Sequence, residues 1–306
     1  MFHILSDFIS PINKAKLENL SQTLNIEIKT YLLDNNIFTS YIPWGEGHNF
    51  TTYYRLKIAS FLPQHIEKCI YLDSDMIVNH NILELYRTDL QGKMCGVVGD
   101  ERISDQTMVV LDENNNYKIN TKYSFNAGLL LLNLKKWREQ NIESKLFNLL
   151  KNVRLTDQDA LNVVFDDDIL LLDSRWNCFP ALIENSPKKA WHHIFSDEAN
   201  DEIKATTKST KEQYTNICKE AKIIHFGGPK PWQIKMYTFP NSYIFQTNHY
   251  YFRLWWVNSV HSNFYSDIRN SFLKSFLKTI YVKIKKPEQI FRTHIIKPIK
   301  NLRKKG

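Results

Sequence analysis

The run Cys69-Ile70-Tyr71-Leu72-Asp73-Ser74-Asp75-Met76-Ile77-Val78 is apolar enough for a buried strand, yet it carries carboxylates at two alternate positions. A strand has a side-chain period of two. Asp73 and Asp75 are therefore expected to project to the same side at the strand's C-terminal end, where parallel sheets bind their ligands. Burying two carboxylates there is costly unless a cation joins them. Hard oxygen ligands at this spacing suit Mn²⁺, or Mg²⁺, carrying a phosphorylated substrate. A lone Asp-x-Asp more often marks a strand end with solvated, turn-forming Asp, so other segments must decide.

With 306 residues, 43% of them hydrophobic, the chain can bury a large core as one α/β domain with an appendage or as two domains. Apolar runs predict strands at 2–5, 26–33, 94–100, 125–134, 169–172 and 221–226, besides the run above. Helical spacing follows Ser10 over 11–24 and recurs at 52–61, 82–90 and 135–150; a further helix starts behind Thr156, with Ser10 and Thr156 as N-caps. Residues 112–120 are polar and read as a surface loop, and 187–213 as more loop than core. The alternation predicts an α/β fold around a mixed, mostly parallel sheet.

Charge is uneven along the chain. Residues 269–306 hold 12 Lys/Arg against the single acid Glu288, whereas residues 1–268 hold 28 Lys/Arg against 31 Asp/Glu. A slightly acidic body excludes nucleic acid as its expected partner. In the tail, Phe272, Leu273, Phe276, Leu277, Ile280, Tyr281 and Val282 recur at helical spacing, interrupted at Pro287 and Pro298. Basic amphipathic segments of this kind lie on anionic membrane surfaces, each Lys or Arg contributing about 1 kcal/mol; a solvated tail is the alternative. The expected organisation is a catalytic domain over 1–240 and a helical, basic, membrane-associating segment over 241–306, with 271–306 as the membrane contact. Cys69, Cys95, Cys178 and Cys218 lack paired spacing, which predicts reduced thiols. No basic leader with an apolar stretch opens the chain, and no apolar run reaches the roughly 18 residues of a span. The expected location is cytoplasmic, peripheral on the inner face of the membrane.

Three further segments stand beside Asp73-Ser74-Asp75. They are Phe125-Asn126-Ala127-Gly128 with the apolar run behind it, Asp157-Gln158-Asp159-Ala160-Leu161-Asn162, and Ile224-His225-Phe226-Gly227-Gly228-Pro229-Lys230-Pro231-Trp232. In order, type and separation the four resemble family-eight glycosyltransferases, the group of glycogenin and the bacterial lipopolysaccharide galactosyl- and glucosyltransferases. The likeness runs from about residue 2 to about residue 240.

The resemblance implies a nucleotide-sugar transferase fold of the GT-A type and transfer of galactose or glucose from a UDP-sugar to a glycan or glycolipid acceptor, with retention. It places Mn²⁺ on Asp73, Asp75 and His225, where the metal would neutralise a diphosphate leaving group. Arg55 matches a donor-contacting position, and its guanidinium suits both a diphosphate and nearby carboxylates. Asp100 and Asn126 would bind the donor sugar and its surroundings. Gly228 would permit close backbone approach to a phosphate, and Lys230 would add a mobile charge. Asp157, Gln158 and Asp159 would hold the sugar ring, with the amide of Gln158 nearest the anomeric carbon. An amide is a poor nucleophile, which favours front-face transfer over a covalent intermediate.

Members normally begin with another strand and helix carrying an Asp-x-Asn-Tyr-like segment. Met1-Phe2-His3-Ile4-Leu5-Ser6-Asp7 aligns with their second strand, so the first βα unit is expected to be absent and the adjoining sheet edge exposed. One rival reading is a catalytically impaired family member without the uridine-binding segment. A metal-dependent phosphoesterase is the other; it would use the Asp pair but has no need of Asn126 or the Asp157-Gln158-Asp159 segment.

Overall fold

In the computed structural model, residues 1–38, 50–99, 106–111, 116–121, 124–153, 155–180, 211–227, 230–233 and 250–291 are described, with backbone alone at 106–111, 116–121, 211 and 279–291. The chain divides into two compact units, Met1–Gly227 and Gly228–Gly306. The expected boundary at 240 lies outside the described residues.

The first unit opens with β1 (Phe2–Ser6), α1 (Pro11–Leu24) and β2 (Ile28–Leu32). Ser10 caps α1, its hydroxyl accepting from the Asn13 N–H, and Pro11 occupies the first turn, where a missing N–H costs nothing. A 3₁₀ helix at Phe50–Lys57 leads into the short α2 (Ile58–Phe61), so the predicted helix over 52–61 is mostly 3₁₀. Next come β3 (Lys68–Leu72), β4 (Met76–Val78), α3 (Ile82–Arg87), β5 (Cys95–Gly99), and the hairpin of β6 (Gln106–Leu111) with β7 (Asn116–Thr121). β7 occupies part of the stretch expected to be loop, its polar residues forming a ladder against β6 instead.

The long strand β8 (Phe125–Asn133) is followed by α4 (Leu134–Glu139), α5 (Ile142–Asn152) and α6 (Asp157–Phe165). The single helix expected over 135–150 is broken at Asn141, which takes a left-handed φ of 51°. β9 (Ile169–Leu171), α7 (Lys211–Lys219) and β10 (Ile223–His225) complete the unit.

The central sheet has the order β3-β8-β5-β9. Its β8 is apolar from Ala127 to Leu132 because both its faces are covered there. Leu130 and Leu132 join Trp137, Leu146, Leu161 and Phe165 on the α4–α6 side, while Leu129 and Leu131 join Leu85, Trp176 and Ile223 on the other. A mixed α/β sheet was expected and is present, but the expectation of mostly parallel pairing is corrected. Among the described strands only β1–β2 and β5–β9 pair in parallel, because β8 runs antiparallel between β3 and β5. β1–β2 forms a sheet of its own, as does β4–β10.

In the second unit, α8 (Tyr250–Val260) and α9 (Tyr265–Phe291) are tied by the contact of Trp256 with Phe272, and Trp255 of α8 packs against Trp232. α9 continues through Pro287 instead of stopping there, and Pro298 lies outside the described residues. No helix among the described residues is long and apolar enough to cross a membrane.

Candidate active site

Asp73 and Asp75 do not sit on one strand. β3 ends at Leu72, residues 74–75 form a turn, and β4 begins at Met76 in another sheet, so a bend of the chain brings the carboxylates together instead of strand alternation. The Asp73 N–H donates to the Gly128 carbonyl at 2.8 Å, anchoring the first carboxylate to β8. Antiparallel pairing sets His225 of β10 opposite Met76, and the Phe226 N–H donates to the Asp75 carbonyl at 2.9 Å. One ligand atom from each of Asp73, Asp75 and His225 lies within 4.8 Å of the other two. His225 Nε2 stands 3.3 Å from Asp75 Oδ1 and 3.8 Å from Asp73 Oδ2.

Arg55, only 7% exposed, organises the carboxylates from beneath. Its Nη2 donates to Asp73 Oδ1 at 2.8 Å, its Nε lies 2.9 Å from Asp157 Oδ2, and its Nη1 donates to the Ala127 carbonyl at 2.6 Å. The guanidinium carbon lies 4.7 Å from the centre of the Tyr71 ring, and the Tyr71 hydroxyl donates to Asp73 Oδ1 at 2.7 Å. Asp73 Oδ1 is therefore occupied twice, which leaves Oδ2 toward His225. Burial alone would pull the Arg55 pKa down; the Tyr71, Asp157, Asp73 and Asp75 groups around it outweigh that and raise it, so the guanidinium stays charged. Burial pushes the Asp157 carboxyl upward, with Arg55 opposing. Burial likewise raises the Tyr71 phenol, which remains protonated as a donor.

A second group of polar side chains adjoins the first. Gln158 Oε1 accepts from Asn126 Nδ2 at 3.0 Å and from the Ala127 N–H at 3.1 Å. Asn126 Oδ1 accepts from the Gly128 N–H at 2.9 Å and from Asn177 Nδ2 at 3.0 Å. Asn177 Oδ1 in turn meets His225 Nδ1 at 2.9 Å. The Phe179 ring packs on His225 with centroids 4.4 Å apart. Asn162, 2% exposed, clamps the start of β8 by accepting from the Phe125 N–H and donating to the Phe125 carbonyl and the Gln158 carbonyl. This clamp holds Asn126 beside Gln158.

Asp73, Asp75, His225, Arg55, Asn126, Asp157 and Gln158 thus converge in the first unit. Asp159 is engaged differently. It closes the capping box of α6, its carboxylate accepting from the Thr156 N–H while the Thr156 hydroxyl caps the Asp159 N–H, as the expected N-cap at Thr156 requires. Asp100 and Gly228 lie outside the described residues, and Lys230 belongs to the second unit. Sequence reasoning gave no role to Tyr71, Asn162 or Asn177. The available signal was a polar side chain amid apolar neighbours, as in Trp176-Asn177-Cys178, which calls for buried partners.

Two carboxylates and an imidazole, converging where Gly128 leaves room, suit a divalent cation.

The sequence model of glycosyl transferase family 8 matches residues 1–235. General stress protein A of Bacillus subtilis is 28% identical over 247 residues, 75% of each chain. A lipopolysaccharide 1,2-glucosyltransferase of Escherichia coli is 26% identical over 243 residues, 76% of this chain and 63% of the relative. Lipopolysaccharide 1,3-galactosyltransferase of Salmonella typhimurium is 26% identical over 183 residues, 58% of this chain and 53% of the relative. The chain therefore spans less than two thirds of either lipopolysaccharide transferase. Among solved structures, galactosyltransferase LgtC in complex with donor and acceptor sugar analogs gives a TM-score of 0.53 at 25% identity, over 76% of this chain and 78% of that one. The bifunctional glycosyltransferase WbbM gives 0.65 at 21% identity, over 88% of this chain and 45% of that one, a likeness of fold alone.

Proposed function

The chain belongs to glycosyltransferase family 8, and on that premise we propose that it moves galactose or glucose from a UDP-sugar to a lipid-borne glycan, retaining the anomeric configuration, with Mn²⁺ as cofactor. The observation that carries this reading is the Asp73–Asp75–His225 cluster standing beside Asn126 and Gln158. A phosphoesterase would use the cluster but leave the amide pair without a purpose. Bound at the cluster, the metal supplies Lewis-acid neutralisation of a diphosphate leaving group. Arg55 serves the donor through Asp73, whose Oδ1 it holds while Oδ2 faces His225.

Retention by double displacement needs a nucleophilic oxygen close to the anomeric carbon. Gln158 Oε1 already accepts from Asn126 Nδ2 and the Ala127 N–H, which engages both of its lone pairs. What Gln158 can offer is its NH₂. That favours electrostatic support of front-face transfer over attack. Asp157, held by Arg55, brings a carboxylate to the same helix start, and Asp159 fixes that start through the capping box. Asp100, Gly228 and Lys230 complete the proposed donor-binding set on the strength of the sequence resemblance.

Calorimetric titration tests the reading. UDP should bind the full chain only with Mn²⁺ present, and Asp73→Ala, Asp75→Ala and His225→Ala should each abolish that dependence with the fold kept. Unchanged Mn²⁺ affinity in all three variants would refute the assignment. Product anomers, read by NMR with UDP-galactose and UDP-glucose, separate the two donors and check retention.

A further inference from the structure

Two backbone amides dictate how every side chain in the amide chain must be oriented. An N–H can only donate, so the Ala127 and Gly128 amides require oxygens opposite them, which are Gln158 Oε1 and Asn126 Oδ1. With Asn126 Oδ1 turned that way, its Nδ2 faces Gln158 Oε1, and Asn177 must present its own Nδ2 to Asn126 Oδ1. Asn177 Oδ1 is then left for His225 Nδ1, which has to be the donor. The proton on Nδ1 turns the other ring nitrogen, Nε2, toward Asp73 and Asp75 as the atom free to give a lone pair to a cation.

We propose that Asn177 is a positioning residue that sets the tautomer and ring orientation of His225 and couples the metal cluster to the Asn126–Gln158 pair. This rests on the reading of Asp73, Asp75 and His225 as metal ligands. Asn177 is built for the task. It is 3% exposed and follows the short 3₁₀ turn Ser174–Trp176, its N–H bonded back to the Ser174 carbonyl. The next residue, Cys178, bridges to β10: its N–H donates to the Ile223 carbonyl at 3.0 Å and its carbonyl accepts from the His225 N–H at 2.7 Å. Backbone pairing therefore locks Asn177 alongside His225. Partners of this kind behind a metal-bound imidazole typically change metal affinity about 10–100-fold when removed.

The arms of the coupling can be cut separately. Asn177→Ala removes both. Asn177→Asp keeps an acceptor for His225 Nδ1 but offers no donor to Asn126. In ¹⁵N-histidine NMR of the metal-free full chain, with His225 identified by its loss in His225→Gln, the wild type and Asn177→Asp should show a protonated, hydrogen-bonded Nδ1. Asn177→Ala should show a mixture of tautomers and bind Mn²⁺ about 10–100-fold more weakly by calorimetry. Asn177→Asp should keep wild-type Mn²⁺ affinity to within a few-fold while losing kcat. An Nδ1 without a proton in the metal-free wild type, or an unchanged Nδ1 signal and Mn²⁺ affinity in Asn177→Ala, would overturn the proposal. Failure of the metal reading is distinguishable, because His225→Gln itself would then leave Mn²⁺ affinity unchanged while the tautomer measurement still reports on Asn177.

Discussion

Gly128 lies where a β-carbon would sit 2.4 Å from His225 Cε1, 2.8 Å from Asn126 Oδ1 and 2.9 Å from Asp73 Oδ2. Those three atoms cannot yield cheaply. Phe179 and Asn177 wedge the imidazole, Asn126 is held by the Gly128 N–H itself, and Asp73 is pinned by Arg55 and Tyr71. Gly128→Ala should therefore displace the cluster, weakening Mn²⁺ binding at least about tenfold while overpacking costs about 1–3 kcal/mol of stability. Calorimetry beside a denaturant melt separates the two effects, and intact Mn²⁺ affinity would show that the cluster tolerates a methyl group. Asp73, Asp75, His225, Asn126 and the Asp157-Gln158 pair were named from the sequence through the resemblance of four segments in order to family 8; taken singly, an Asp-x-Asp turn, a strand-end Asn or His and a helix cap fit the same residues. Asn177 and Tyr71 were not named, since a single Asn after Trp or a Tyr at a strand end fits ordinary packing equally well.

At the scale of elements, β8 and the helices behind it carry much of the fold, and Trp137 of α4 stands at their junction. It is 1% exposed and meets Phe165 edge-on with centroids 5.6 Å apart. Its Nε1 is buried without a hydrogen-bond partner among the described residues. Trp137→Ala should cost about 3–5 kcal/mol through the cavity it leaves. Trp137→Phe should cost clearly less, because it keeps most of the packing and removes an unpaired donor whose burial itself costs about 1–3 kcal/mol. Equal losses in chemical denaturation would mean that the indole N–H finds a partner in solution. Local signals located these elements well. Ser10 and Thr156 mark helix starts through hydrogen bonds within three residues, which any sequence displays. The direction in which β8 pairs with β3 and β5 and the hairpin of β6 and β7 were not legible, because pairing between separate segments decides them, and neither was the continuation of α9 past Pro287.

For the whole molecule, the distribution of charge separates a slightly acidic body from a basic end. Beyond residue 282 lie nine Lys/Arg against Glu288. The apolar side chains Leu273 and Leu277 of α9 are exposed. Peripheral attachment to an anionic membrane follows as a proposal. Replacing those nine cations by Gln, which spares the Trp256–Phe272 contact, should release the full chain from phosphatidylserine vesicles in a sedimentation assay. High salt should do the same to the unmodified chain by screening its charge. Retention of both forms on the vesicles, or binding by neither, would assign the charge to another partner. The sequence by itself determined the α/β class, the helix caps and the uneven charge, because periodicity, capping and composition act over a few residues, whereas the candidate site residues came from the resemblance of four segments to family 8. Only the tertiary structure decided that Asp73 and Asp75 meet across a turn instead of along a strand, that Arg55 serves Asp73 and Asp157 from within the core, and that Asn177 joins His225 to Asn126. The physical reason is range: Asn177 reaches partners 48 and 51 positions away, and hydrogen-bond direction along that chain is set by two backbone amides whose neighbours are brought there by strand pairing and by the Asn162 clamp.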